Sequence, residues 1–296
     1  MYIEARGSGP PLVLIHGWAM HGGVFAPLWP LLQPHFTLHL VDLPGHGHSR
    51  DDQTPLSLAA VADALLESLP PAVWMGWSLG GLFALQAALQ RPEAVRGLIL
   101  HCATPRFVRG EGDDWKYGVS AEIFRDFGEG LRNDYRGTLD RFVALEAFGS
   151  DDARQALRTL RGDLFARCEP AAHVLADGLR LLETVDLRAQ LPSLRMPSLW
   201  LAGRRDRLVD PRAMRMAAAM TPHAMFAQVE HAGHAPFLTH ADEVARAIGG
   251  FAESLGRDPS ARHPREGGDP ATFAAGVPTA KALDPRLRGD DEQKPR

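Results

Sequence analysis

Cysteine is scarce in this chain. Its 296 residues include two, Cys102 and Cys168, far apart and outside any C-x-x-C pair. That spacing excludes a disulfide framework and a thiolate zinc site, and free thiols in a reducing cytoplasm are expected. Long apolar runs are also missing. No stretch reaches the roughly 18 residues that suggest a membrane-spanning helix. The opening "MYIEARGSGPP" has neither a basic start nor an apolar stretch, so no secretory signal is expected. Charge of one sign is not in excess: 32 Lys and Arg stand against 36 Asp and Glu, a formal net charge of −4 at pH 7. No global basic field calls for nucleic acid. What is plentiful is apolar side chain, 45% of the residues, enough for one large domain with an inserted subdomain.

Over residues 1–105, short apolar runs alternate with helical stretches. "PLVLI" (11–15), "FTLHLV" (36–41), "AVWMGW" (72–77) and "VRGLILHC" (95–102) read as buried strands, and "LSLAAVADALLESL" (56–69) as a helix between them. The rhythm returns over 187–256 with "PSLWLAG" (197–203), a helix near 211–220, "HAMFAQVE" (223–230) and a helix near 240–254. Strand–helix alternation predicts a mostly parallel central sheet with helices on both faces. Between the halves, residues 106–186 show no strand pattern. Ile123, Phe124 and Phe127, then Leu139, Phe142, Val143 and Leu145, then Ala153, Ala156, Leu157 and Leu160 recur at helical spacing. This predicts about four helices inserted as a cap, because so long a strandless span exceeds an ordinary crossover. Past residue 256 the chain is rich in Pro, Gly and charge. "HPREGGDP" and "DPRLRGDD" read as two arms of an imperfect repeat, and residues 257–296 are expected to be a disordered tail.

Chemistry concentrates at "MGWSLGG" (75–81), a G-x-S-x-G pattern with Ser78 between a predicted strand and a predicted helix. A serine at the apex of such a turn is expected to be strained and exposed, suited to a nucleophile. The helix behind it points N–H groups at negative charge developing nearby. A serine hydroxyl is a weak nucleophile and needs a base within hydrogen-bond reach. In "EHAGHAPF" (230–237), His234 sits in the turn after the last predicted strand, with His231 as its competitor. The imidazole needs a carboxylate to hold its tautomer. Asp206 lies just after the strand "PSLWL", and Asp210 is the alternative, although Asp210–Pro211 reads as a helix start. Two oxyanion donors are expected from the backbone: the N–H of Leu79 and that of Trp18 in "LIHGWAM" (14–20), where Gly17 leaves room for substrate. No metal and no cofactor are expected.

"LVLIHGW", "VDLPGHGHS", "MGWSLGG", "AGRRDRLV" and "HAGHAPF" together resemble the α/β-hydrolase superfamily over residues 1–255. The cap segments "RFVALEAFGSDDARQALRTLR" (141–161) and "GLRLLETVDLRAQL" (178–191), with "GHAPFLTHADEV" (233–244), are similar to the carboxylesterases of biotin synthesis. That resemblance implies an α/β-hydrolase fold and a serine esterase acting on the methyl ester at the far end of a pimeloyl chain borne by acyl carrier protein. It implies substrate contacts at Trp18, Ser78, Leu79, Phe142, Val143, Ala144, Leu145, Glu146 and His234, and carrier contacts at Arg141, Arg154 and Arg158. The chain departs at Gly137, where a further arginine is expected, with Arg136 beside it, and at Glu146, where a neutral glutamine is expected. The cap is not basic overall, with 13 Lys and Arg against 16 Asp and Glu over residues 106–188. Arg154, Arg158 and Arg161 nonetheless share one helical face. The implied enzyme is a cytoplasmic monomer. The rival readings are a general short-chain carboxylesterase or thioesterase on free esters, and a non-catalytic ligand-binding member of the superfamily.

Overall fold

The computed structural model describes residues 1–256 apart from 111, 113, 150, 151 and 165. The tail expected over 257–296 lies outside the described residues. Seven strands form one sheet: β1 (Tyr2–Gly7), β2 (Pro11–Ile15), β3 (Thr37–Asp42), β4 (Ala72–Trp77), β5 (Val95–His101), β6 (Ser198–Gly203) and β7 (Ala224–Val229). Their spatial order is β1-β3-β2-β4-β5-β6-β7, and every pairing is parallel except β1 with β3. β4 and β6 are buried along their whole length, as near-continuous apolar strands covered on both faces should be. β1 is the element the sequence reading missed. Its "YIEARG" is charged and largely exposed, as suits the edge of a sheet.

Among the described residues, six α-helices flank the strands: α1 (Trp29–Leu32), α2 (Leu58–Ser68), α3 (Leu79–Gln90), α8 (Pro211–Ala219), α9 (Pro236–Thr239) and α10 (Ala241–Leu255). The remaining four, α4 (Ala121–Asn133), α5 (Tyr135–Ala147), α6 (Ala153–Leu164) and α7 (Ala172–Thr184), fall between β5 and β6. They pack on one another, α4 against α5 and α7, and α5 against α6. Each carries an apolar stripe at helical spacing, such as Leu139, Phe142 and Val143 on α5. After α6, Arg167 reaches back to the sheet, 2.7 Å from the Glu4 carboxylate and 3.5 Å from that of Asp42 at the end of β3. Among the described residues no helix is long and apolar enough to cross a membrane.

Two of the buried histidines keep a ring nitrogen unpaired among the described residues. His46 and His101 are fully buried, and neither Nε2 has a hydrogen-bond partner among the described residues. Burial pushes His101 down to about 3 and His46 down to about 4. The unfolded chain protonates both near pH 6.5, whereas the native state takes up these protons only below their depressed values. Stability is therefore expected to be full above about pH 6.5 and to fall as pH drops from there toward about 4. The urea midpoint, measured stepwise from neutral to mildly acidic pH, checks this. A flat midpoint across that window would show that these imidazoles do not stay neutral in the fold.

Candidate active site

The chain leaves β2 toward one edge of the sheet and returns at β4 on the other side of it, so the ends of β2 and β4 face a crevice. Open parallel sheets place their ligands at such switch points. Ser78 follows β4 directly, with φ +54° and ψ −122°, a backbone conformation that side-chain-bearing residues rarely adopt. The strain expected of the turn is present, but the exposure is not. Ser78 is only 3% exposed.

Three side chains from distant loops meet here. His234 Nε2 is 2.9 Å from Ser78 Oγ, and His234 Nδ1 is 2.8 Å from Asp206 Oδ2. The other carboxylate oxygen of Asp206 accepts the backbone N–H groups of Leu208 (2.8 Å) and Val209 (2.9 Å). An ionised carboxylate only accepts, so the Nδ1 proton points at Asp206 and Nε2 is left to accept the Ser78 hydroxyl proton. The rivals are placed elsewhere. Asp210 caps α8 through the Arg212 N–H (2.8 Å) and pairs with the Arg212 guanidinium. His231 is exposed, with Nδ1 3.1 Å from Arg205 Nη2.

Positioning groups that the sequence reading did not single out complete the site. His16 Nε2 accepts the Leu43 N–H (3.0 Å), so its other nitrogen carries the proton and donates it to the Gly17 carbonyl (2.8 Å). In a trans peptide C=O and N–H point opposite ways. Holding the Gly17 carbonyl on His16 therefore turns the Trp18 N–H away from it. Gly17 lies so close to Ser78 that an added Cβ would sit 3.1 Å from the Ser78 Cβ. Trp77 donates its indole N–H to the His234 carbonyl (2.8 Å), anchoring the histidine turn. A histidine before Gly17 and a tryptophan beside the serine were visible, but nothing local says where their rings reach.

The inserted helices supply the roof. The Trp18 indole N–H donates to the Leu175 carbonyl of α7 (2.8 Å), and Phe142 of α5 meets the Trp18 ring edge-on with centroids 4.5 Å apart. Of the segment 142–146, Phe142, Val143 and Glu146 are buried, Leu145 is half-buried, and Ala144 is exposed on the opposite face of α5. Ala144 is thus not brought to the site, because one face of a helix cannot present five consecutive residues. Arg154 and Arg158 are exposed on α6. Arg161, which shares their face, is held by Asp140 at 2.5 and 2.6 Å. Arg141 is also exposed and lies 2.6 Å from Thr138 Oγ1.

One trio of possible metal ligands occurs among the described residues: Cys102, Asp206 and His234, with ligating atoms within 4.8 Å of one another. Asp206 and His234 already bond each other, and burial, with Asp206 alongside, pushes the Cys102 thiol well above its ordinary value. A protonated thiol is a poor metal ligand, so the trio reads as a hydrogen-bonding group.

The α/β-hydrolase fold family matches residues 10–241. The chain belongs to that family. It is 58% identical to the pimeloyl-[acyl-carrier protein] methyl ester esterase of Stenotrophomonas maltophilia (strain K279a), over 86% of this chain and 97% of that protein. It is also 58% identical to the protein of the same name from Xanthomonas campestris pv. campestris (strain B100), over 86% of this chain and all of that one. Among solved structures, an esterase from Exiguobacterium antarcticum superposes with a TM-score of 0.75 at 22% identity, covering 85% of this chain and 95% of that one. That last likeness speaks for the fold alone.

Proposed function

We propose that this chain is a serine carboxylesterase that hydrolyses the methyl ester of pimeloyl-[acyl-carrier protein], releasing methanol and the free carboxylic acid, in biotin synthesis. The observation that carries the chemistry is the unbroken line of hydrogen bonds from Ser78 through His234 to Asp206. The substrate is supported by the names of relatives matched along nearly their whole length.

In this reading Ser78 Oγ attacks the ester carbonyl while its proton passes to His234 Nε2. The resulting imidazolium is stabilised by Asp206. The backbone N–H groups of Leu79 and Trp18 receive the oxyanion, a contribution of about 3 kcal/mol per donor. The tetrahedral intermediate collapses, methanol leaves with the proton from His234, and an acyl-serine remains. Water, deprotonated by His234, attacks that ester. The second collapse returns the proton to Ser78 Oγ and frees the acid. The enzyme acts in the cytoplasm as a monomer, with acyl carrier protein as the partner that brings the substrate.

Carrier docking is the part that separates this reading from a general esterase of free esters. Exposed Arg154 and Arg158 would meet an acidic carrier at a wet rim, where each pair contributes roughly 0.2–1 kcal/mol and weakens with salt. Replacing both with Glu is expected to raise KM for the carrier-bound ester several-fold, while p-nitrophenyl butyrate turnover stays unchanged. Added salt should mimic the double change in the parent protein. Equal losses on both substrates would mean that these arginines hold the inserted helices together and do not dock the carrier.

A further inference from the structure

The loop after β2 presents the Trp18 N–H, the second oxyanion donor in the reading above, and the chain does not take its shape unaided. Ala19, the next residue, stands at φ +65°, a conformation that favours glycine. Backbone of that kind persists only where its surroundings hold it in place.

Two holds come from the end of β3. On one side His16 accepts the Leu43 N–H and keeps the Gly17 carbonyl turned. On the other, the Gly22 N–H donates to Asp42 Oδ1 at 2.7 Å. Asp42 Oδ2 accepts the His48 N–H at 2.8 Å, and the side chain is fully buried. A buried carboxylate is costly unless a cation and further hydrogen bonds compensate it. Among the described residues the paired cation is Arg167, whose Nη1 lies 3.5 Å from each carboxylate oxygen. Its Nη2 donates to Glu4 on β1 at 2.7 Å, which orients the guanidinium.

Arg167 does not belong to the sheet. It follows α6, and the insertion that carries it is fastened to the same loop twice more. His21 Nδ1 accepts the Gly23 N–H (3.0 Å), so Nε2 carries the proton and donates it to the Asp163 carbonyl (2.6 Å). The Trp18 indole N–H donates to the Leu175 carbonyl. Asp163, Arg167 and Leu175 therefore all reach this loop: at His21, at Gly22 through Asp42, and at Trp18.

We propose that Arg167 is a positioning residue for the reaction: by holding Asp42 it fixes Gly22, and with it the Trp18 N–H, where the oxyanion forms. The proposal rests on the esterase reading above and deepens it. Arg167 touches no reacting atom. Its role is to make the oxyanion donor depend on the docked insertion, so that the site is complete only with the helices in place. A small displacement of such a donor is enough to cost one to two orders of magnitude in rate, roughly what a 1 Å misplacement costs.

Three variants test it with p-nitrophenyl butyrate as substrate. Arg167→Met keeps the length and loses the charge, and is expected to lower kcat by about tenfold or more with KM little changed, since the interaction lost is made only in the transition state. Arg167→Lys keeps a cation beside Asp42 and should stay within about threefold of the parent protein. Glu4→Gln removes the other partner of the guanidinium and should lower the melting temperature while kcat stays within about threefold. An oxyanion readout separates positioning from mere stability. With a trifluoromethyl ketone, Ser78 Oγ bonds to the carbonyl carbon, the carbonyl electron pair stays on oxygen as an oxyanion, and the hydroxyl proton passes to His234. Its inhibition constant should rise in Arg167→Met by about the factor that kcat falls. A folded Arg167→Met with unchanged kcat, with its loss in KM alone, or with an unchanged inhibition constant would overturn the proposal. So would a loss in Glu4→Gln as large as that in Arg167→Met, because activity would then follow docking onto β1 and not Asp42. Should Arg167→Met fail to fold, Arg167→Lys and Glu4→Gln decide: a kcat loss beyond about threefold in either overturns the proposal, and parent-like kcat in both supports it. Fluorophosphonate labelling of the parent protein tests the esterase reading separately. A parent that did not label would remove that reading, whatever Arg167 does.

Discussion

Ser78→Ala is expected to reduce turnover by on the order of 10⁶-fold while leaving the fold and the melting temperature close to those of the parent chain. The size of the effect follows from the site. Ser78 Oγ is the atom facing His234 Nε2 at 2.9 Å, and without it the acyl-enzyme cannot form. The turn itself should survive, because alanine keeps the Cβ and inherits the same φ of +54°. Residual hydrolysis would come from the oxyanion donors and from binding alone. Circular dichroism checks the fold, single-turnover kinetics the rate, and fluorophosphonate labelling, expected to vanish, the position of the nucleophile. Turnover within tenfold of the parent protein would remove Ser78 from its proposed role.

Asp206→Asn carries the second largest expected effect, a loss of up to about 10⁴ in kcat. The hydrogen bonds around the carboxylate show why. One oxygen accepts two N–H groups, from Leu208 and Val209, and the other accepts the His234 Nδ1 proton. An asparagine must keep its carbonyl oxygen toward the two backbone donors, so its NH₂ faces His234. Nδ1 then has to accept, the proton moves to Nε2, and the imidazole no longer takes a proton from Ser78. The fold should hold, since the loop keeps both backbone hydrogen bonds. The control is Asp210→Asn. Asparagine caps a helix about as well as aspartate, and an exposed pair with Arg212 adds little, so activity there should be unchanged. If Asp210→Asn proved the more damaging change, the acid would be misassigned.

Much of this site could be read along the chain. Ser78, Asp206 and His234 each lie just after a strand that announces itself as a short apolar run. Strand, sharp turn and helix are local events, governed by side-chain periodicity and by where glycine and proline fall. β1 escaped because an edge strand exposes most of its side chains and needs no apolar run. His16 and Trp77 escaped because their work is done by ring nitrogens reaching residues up to 157 positions away.

Local pattern in the sequence therefore determined the order of strands and helices, the family likeness and a short set of candidates for each role. The tertiary structure brought three of those candidates into hydrogen-bond contact. His234 lies 156 positions from Ser78 and Asp206 lies 28 from His234, and only the strand order of the sheet brings them within 3 Å. It also showed that Ala144 faces outward, that Ser78 is buried, and that Glu146 is buried with no hydrogen-bond partner among the described residues. The reason is physical. Periodicity reports that a face is buried, but what it is buried against depends on how elements far apart in the chain pack together.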